Sequence, residues 1–226
     1  QRIYGTAFVS NTDLEAHLKL LAEAARRDHR RLGRELDLFS LQEEGPGFPF
    51  FHPKGMILRN ELEAFWREEH RRAGYQEIRT PTILSQELWQ KSGHWDHYHD
   101  NMYFTEIDDR GFAIKPMNCP GGILVYKSRS HSYRELPLRQ AEMGLVHRHE
   151  RAGALHGLMR VRCFTQDDAH IYMLPSQITE EIKGVIDLIA RIYQVFGFGY
   201  QVELSTKPEN AMGSDEIWKE ATDAFL

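Results

Sequence analysis

The middle of the chain constrains the fold most. Between residues 103 and 173, short runs with strand character follow one another: 103–105, 112–115, 144–148, 160–164 and 170–173. In the fourth run Val161 and Cys163 alternate with Arg160 and Arg162, the period-two pattern of a strand with two unlike faces. A helical run after Pro120 interrupts the series, but strands and helices do not alternate regularly. This order predicts an α+β fold built on a mainly antiparallel sheet flanked by helices.

The flanking segments predict where helices begin and end. Leu14, Leu18 and Leu21 recur at i, i+4 and i+7, and Ala25 and Leu32 extend the stripe. One amphipathic helix is therefore expected over 13–32, with Thr12 and Glu15 as a capping box, and residues 1–33 read as a helical lead-in. The arginines at 26, 27, 30 and 31 read as a solvated helix face. Residues 43–55 carry three Pro and three Gly among aromatics, which predicts a loop or edge strand. A second helix is expected over 56–73, with Leu58, Leu62, Phe65 and Trp66 on its apolar side and Gly74 ending it. A strand over 75–80 then stops at Pro81. Further expectations are a short helix over 85–91, a helix over 177–195 with Ile178, Ile182, Ile186 and Ile189 facing the core, and a strand over 200–204.

Charge and cysteine usage narrow the function classes. With 28 Lys and Arg against 33 Asp and Glu, the net charge is −5. A general polyanion binder is usually basic, so any nucleic acid must meet a local patch. The longest apolar run, 123–126, is far short of the roughly 20 residues that span a bilayer. No secretory leader pattern is present, and two cysteines make no disulfide framework. The expectation is a cytoplasmic protein with no membrane partner.

Three segments could carry chemistry. In a strand over 164–170, Gln166, Asp168 and His170 share one face. Set between apolar flanks, such a row must find partners, and a ligand is one candidate. Cys119 sits at a tight turn before a helix, in Lys115-Pro116-Met117-Asn118-Cys119-Pro120-Gly121. Alone it reads as a small buried hydrophobe; with the distant His170 it could supply two of three zinc ligands in an open site. Third, Arg148 and Arg160 lie on runs joined by a glycine-containing loop, so the hairpin either clamps phosphate or makes surface ion pairs such as Arg148 with Glu150. His94, His97 and His99 lie in an aromatic stretch that reads as a pocket lining rather than a metal site.

Read together and in order, residues 115–121, 147–150, 156–162 and 164–170 resemble the threonyl-tRNA synthetase family of class II aminoacyl-tRNA synthetases. The 144–164 segment resembles motif 2 of that class, with Arg148 and Glu150 at its Arg-x-Glu positions. The 56–81 segment resembles motif 1 and ends on Pro81. The resemblance runs from the segment at 2–7 to the one at 204–209. Gly122 stands where many members carry His after Pro-Gly. No glycine-rich, arginine-bearing segment resembles motif 3, and Gly197-Phe198-Gly199 is not that motif.

The resemblance implies a catalytic domain spanning 1–226, with the carboxyl-terminal part of the fold missing. It implies an ATP-dependent threonine–tRNA ligase that makes threonyl-adenylate and transfers the threonyl group to the 3′ end of tRNA(Thr). Arg148 and Arg160 are the implied catalytic residues. Arg148, Glu150 and Arg160 would hold ATP with Mg2+, and Met117, Gln166 and Asp168 would meet threonine. Cys119 and His170 would bind Zn2+, the third ligand being expected beyond Leu226. Motif 1 implies a homodimer, and the chain alone is expected to be weakly active or inactive. Two other readings compete: a non-catalytic module that keeps the fold for tRNA or partner binding, and a zinc hydrolase. The second is weak, because no His-Glu-x-x-His arrangement is present.

Overall fold

In the computed structural model, which describes residues 2–208, 211 and 213–225, packing divides the chain into two compact units. Gln1–Asn60 with Glu150–Cys163 form the first, and Glu61–His149 with Phe164–Leu226 the second. Glu209, the last residue of the 204–209 resemblance, and the side chain of His97 lie outside the described residues.

The first unit opens with two helices where one was expected. Helix α1 (Asn11–Arg26) is capped by Ser10, whose Oγ accepts from the Asp13 backbone N–H at 3.1 Å, rather than by the Thr12–Glu15 box. Helix α2 (His29–Glu35) starts anew because the Asp28 carboxylate takes the Arg30 N–H at 2.8 Å. A short acceptor side chain at that point competes with the helical ladder and caps the next helix. Arg26 pairs with Glu23, Arg30 with Asp28 and Arg31 with Glu35, so the basic cluster is a solvated face, as read. The leucines at 14, 18 and 21 stay exposed. Strands β1 (Phe39–Leu41) and β2 (Pro49–Phe51) pair antiparallel with Phe39 opposite Phe51.

Helix α3 (Pro53–Arg72) begins three residues earlier than predicted, with Trp66, Glu69 and His70 buried near its end. Gly74, at φ +79°, follows it in the left-handed region that favours glycine. The second unit then contains β3 (Gln76–Glu77), β4 (Ile83–Ser85), α4 (Gln86–Lys91), α5 (His94–Tyr98), β5 (Tyr103–Ile107), β6 (Arg110–Ile114), α6 (Cys119–Lys127), β7 (Leu138–His147), β8 (Cys163–Tyr172, apart from its first residue), α7 (Ile178–Phe196) and α8 (Asp215–Phe225). One sheet has the order β4-β6-β5 and is antiparallel; the other has the order β3-β7-β8, with β3 parallel to β7. Trp89, Met102 and Ala113 form a buried cluster against which Leu84, Trp95 and Tyr98 pack. Trp95 and Tyr98 of the aromatic stretch after Gly93 thus pack on this core.

Other expectations need correction. Residues 160–162 are not strand: Arg160 makes an isolated bridge with His156, and β8 starts at Cys163. Residues 200–204 form no strand, and α8 is a helix beyond those expected. In α7 it is Glu181 and Leu188 that are buried, while Ile186 and Ile189 are exposed, so the core-facing stripe is rotated from the isoleucine row. Among the described residues no helix is long and apolar enough to cross a membrane.

Candidate metal and substrate site

The site is built where the start of α6 meets β8. Pro120 at the opening of α6 needs no hydrogen-bonded N–H there, which suits the sharp entry from Asn118 into Cys119. On β8 the period of two leaves Asp167 and Ala169 exposed and half-buries Gln166, Asp168 and His170 on the other face. The result is one donor cluster: ligand atoms of Cys119, Asp168 and His170 all lie within 4.8 Å of one another. Among the described residues this is the group of three found able to hold a metal ion. A thiol, an imidazole and a carboxylate are a donor set that zinc accepts, so the residues fit the metal that the family resemblance implies. His147 and His149 are not in it. Burial pushes the Cys119 thiol up from its ordinary value, and the neighbouring Asp168 adds to the shift.

Gly122 lies beside the cluster, and a Cβ there would meet His170 Nδ1 at 3.4 Å. Asn118, almost fully buried, donates from Nδ2 to Asp168 Oδ2 at 3.0 Å and towards Gln166 Oε1 at 3.4 Å. Met117 is half-buried beside it. In the same unit Arg148 Nε donates to the Pro116 carbonyl at 3.1 Å, and its guanidinium lies 5.2 Å from the centre of the Phe164 ring. That pairing fixes a planar cation against an aromatic face.

The other arginines belong to the first unit. Arg160 pairs with the Glu150 carboxylate at 2.9 Å, so Glu150 takes Arg160 rather than Arg148 as its ion-pair partner. Arg162 donates to the Glu150 carbonyl from Nε and Nη2 and to the Pro46 carbonyl from Nη1. Sequence reasoning missed Asn118 and a buried Lys115–Glu142 pair, 2.9 Å apart. Neither residue type is periodic or clustered, so no local signal marks them.

With this geometry in place, comparison assigns the class. The family described as tRNA synthetase class II core domain (G, H, P, S and T) matches residues 103–225. The chain belongs to that family of class II tRNA synthetase core domains. Within it, the chain is 72% identical over 226 residues to a threonine–tRNA ligase from Syntrophomonas wolfei, covering 100% of this chain and 36% of that protein. A crystal structure of the RNA binding domain of threonyl-tRNA synthetase from Cryptosporidium parvum superposes with a TM-score of 0.84 at 45% identity, covering 88% of this chain and 50% of that one. Prolyl-tRNA synthetase from Giardia lamblia, solved with prolyl-adenylate, shares the fold alone: TM-score 0.68, 19% identity, 76% of this chain and 36% of that one. The chain spans about a third of the length of the curated relatives it matches.

Proposed function

We propose that this chain is part of the catalytic domain of a threonine–tRNA ligase. Threonine and ATP would give threonyl-adenylate and pyrophosphate, and the threonyl group would pass to the 3′ adenosine of tRNA(Thr). The observation that carries this reading is the Cys119–Asp168–His170 donor cluster in a chain 72% identical to a threonine–tRNA ligase.

Cys119 and His170 would hold zinc, and Asp168, in the same cluster, is the further donor on offer among the described residues. When bound, zinc supplies a Lewis acid for the amino and hydroxyl groups of threonine. Asp168 would accept a hydrogen bond from the substrate, with Gln166 and Met117 beside it. Arg148, braced by Pro116 and Phe164, would neutralise the carboxylate of threonine and the α-phosphate. Adenylate formation needs positioning and charge neutralisation more than covalent help from the protein. Glu150 would accept from the adenine amino group, Arg160 would bind a phosphate further out, and Mg2+ would accompany ATP. Ile57, Leu58 and Leu62 are exposed on α3, which supports a homodimer formed through the 56–81 segment. The two free thiols, Cys119 and Cys163, suit a reducing cytoplasm.

Calorimetry on the zinc-loaded chain tests the reading. A purely apolar pocket separates valine from its near-isostere threonine by only about 10²-fold, whereas a site that ligates the hydroxyl rejects valine by more. Threonine is expected to bind, serine less tightly, and valine not measurably. Equal binding of threonine and valine refutes the proposal.

A further inference from the structure

Asn118 occupies the N-cap of α6, where an asparagine ordinarily accepts a hydrogen bond from a backbone N–H in the first turn. Here its side chain makes no cap bond. Its Oδ1 is buried with no hydrogen-bond partner, and the whole side chain faces inward, 1% exposed. The amide nitrogen goes instead to Asp168 Oδ2 at 3.0 Å and Gln166 Oε1 at 3.4 Å. A capping residue that leaves its helix uncapped and its own oxygen unpaired is held in place for something else.

The space for this arrangement comes from Gly144 on β7. A Cβ there would lie 2.1 Å from Asn118 Nδ2 and 2.4 Å from its Cγ and Oδ1, closer than real Cβ atoms approach. Only glycine lets the amide lie against the strand.

We propose that Asn118 is a positioning residue that sets the polarity of the ligand site, an inference resting on the reading above that Asp168 belongs to the donor cluster and meets the substrate, with Gln166 beside it. One amide nitrogen engages one oxygen from each side chain. Asp168 is left with Oδ1 as a free acceptor. Gln166, with Oε1 turned to Asn118, is left with Nε2 as a donor. The site then offers one anionic acceptor and one amide donor in fixed places, suited to an amino acid with a hydroxyl. Partners that orient a ligating carboxylate from behind typically change metal affinity by about 10–100-fold.

Cobalt(II) titration of the 226-residue chain, followed by the thiolate-to-cobalt absorption band, tests this without turnover. Asn118→Ala and Asp168→Ala are each expected to weaken cobalt about 10–100-fold. The double variant should be no weaker than Asp168→Ala alone. Gly144→Ala, which keeps Asn118 but displaces it, should mimic Asn118→Ala, and Asn118→Asp covers the case in which the alanine variant fails to fold. Unchanged affinity in Asn118→Asp and Gly144→Ala, or losses that add in the double variant, would overturn the proposal. If the unaltered chain gives no thiolate band, the metal reading falls, and Asn118 is judged on its own amide. Its side-chain 15N–1H resonances should be protected from exchange and lose protection in Asp168→Ala; fast exchange in the unaltered chain overturns the proposal.

Discussion

The Nζ of Lys115 lies 2.9 Å from Oε1 of Glu142, and the two side chains are only 2% and 5% exposed. Thr80 completes the pair: its hydroxyl accepts from Lys115 at 2.8 Å, and its backbone N–H donates to Glu142 at 2.9 Å. A full ion pair is thus sealed inside the second unit, tying the segment after β3 to the segment after β6 and to β7. Removing one partner strands the other charge without compensation. Lys115→Met is expected to cost about 3–5 kcal/mol in urea unfolding, and adding Glu142→Leu should recover most of it. An unchanged unfolding midpoint for Lys115→Met would contradict this.

Gly55 stands in the first turns of α3, where helix propensity alone favours alanine by about 1 kcal/mol. A Cβ at this position would lie in the carbonyl of Leu38, 1.9 Å from its oxygen. Backbone cannot swing aside as a flexible side chain can. Gly55→Ala is therefore expected to destabilise by about 1–3 kcal/mol, the range for strained overpacking, in thermal or urea melts. A more stable variant would show that propensity wins.

His147 gives a pH dependence of known sign. Burial, and then the neighbouring Lys115 charge, hold its ring below the ordinary imidazole value. Between the folded and unfolded values the unfolded chain binds the extra proton, so stability rises with pH there. The contribution is complete above about pH 6.5, the unfolded value, declines as pH falls through it, and levels off below the folded value. Urea midpoints from pH 7.5 down to 5 should drop less steeply in His147→Gln than in the unaltered chain. Parallel curves would remove His147 as a source of the slope.

Zinc binding should depend on the side chains of the donor cluster and leave the fold standing. Cys119→Ser and His170→Ala are expected to lose zinc on dialysis against a mild chelator, as read by atomic absorption, while far-ultraviolet circular dichroism stays native. A variant that retains zinc at a near-stoichiometric level would place the metal elsewhere.

Features encoded within a few residues were legible in the sequence. The spacing of Leu62, Phe65 and Trp66 and the stop at Gly74 predict α3, found over Pro53–Arg72. The alternation in 164–170 puts Gln166, Asp168 and His170 on one face, and Cys119 beside Pro120 marks the turn into α6. Periods, caps and turns are local, so a single chain displays them. Partnerships were decided only by tertiary structure. Thr80 and Glu142 are 62 positions apart, and Asn118 and Asp168 are 50 apart. Nothing local tells a buried lysine from an exposed one, or says that an N-cap asparagine will turn from its helix to a carboxylate on a distant strand. The same holds for the errors. Asp28 breaks the long first helix because its carboxylate outcompetes the helical ladder, and Ile186 and Ile189 face outward because the packing against α7 settles on Leu188 and Glu181 instead. Burial and pairing cost or yield free energy only once distant segments meet, and the identity of those segments is a property of the fold.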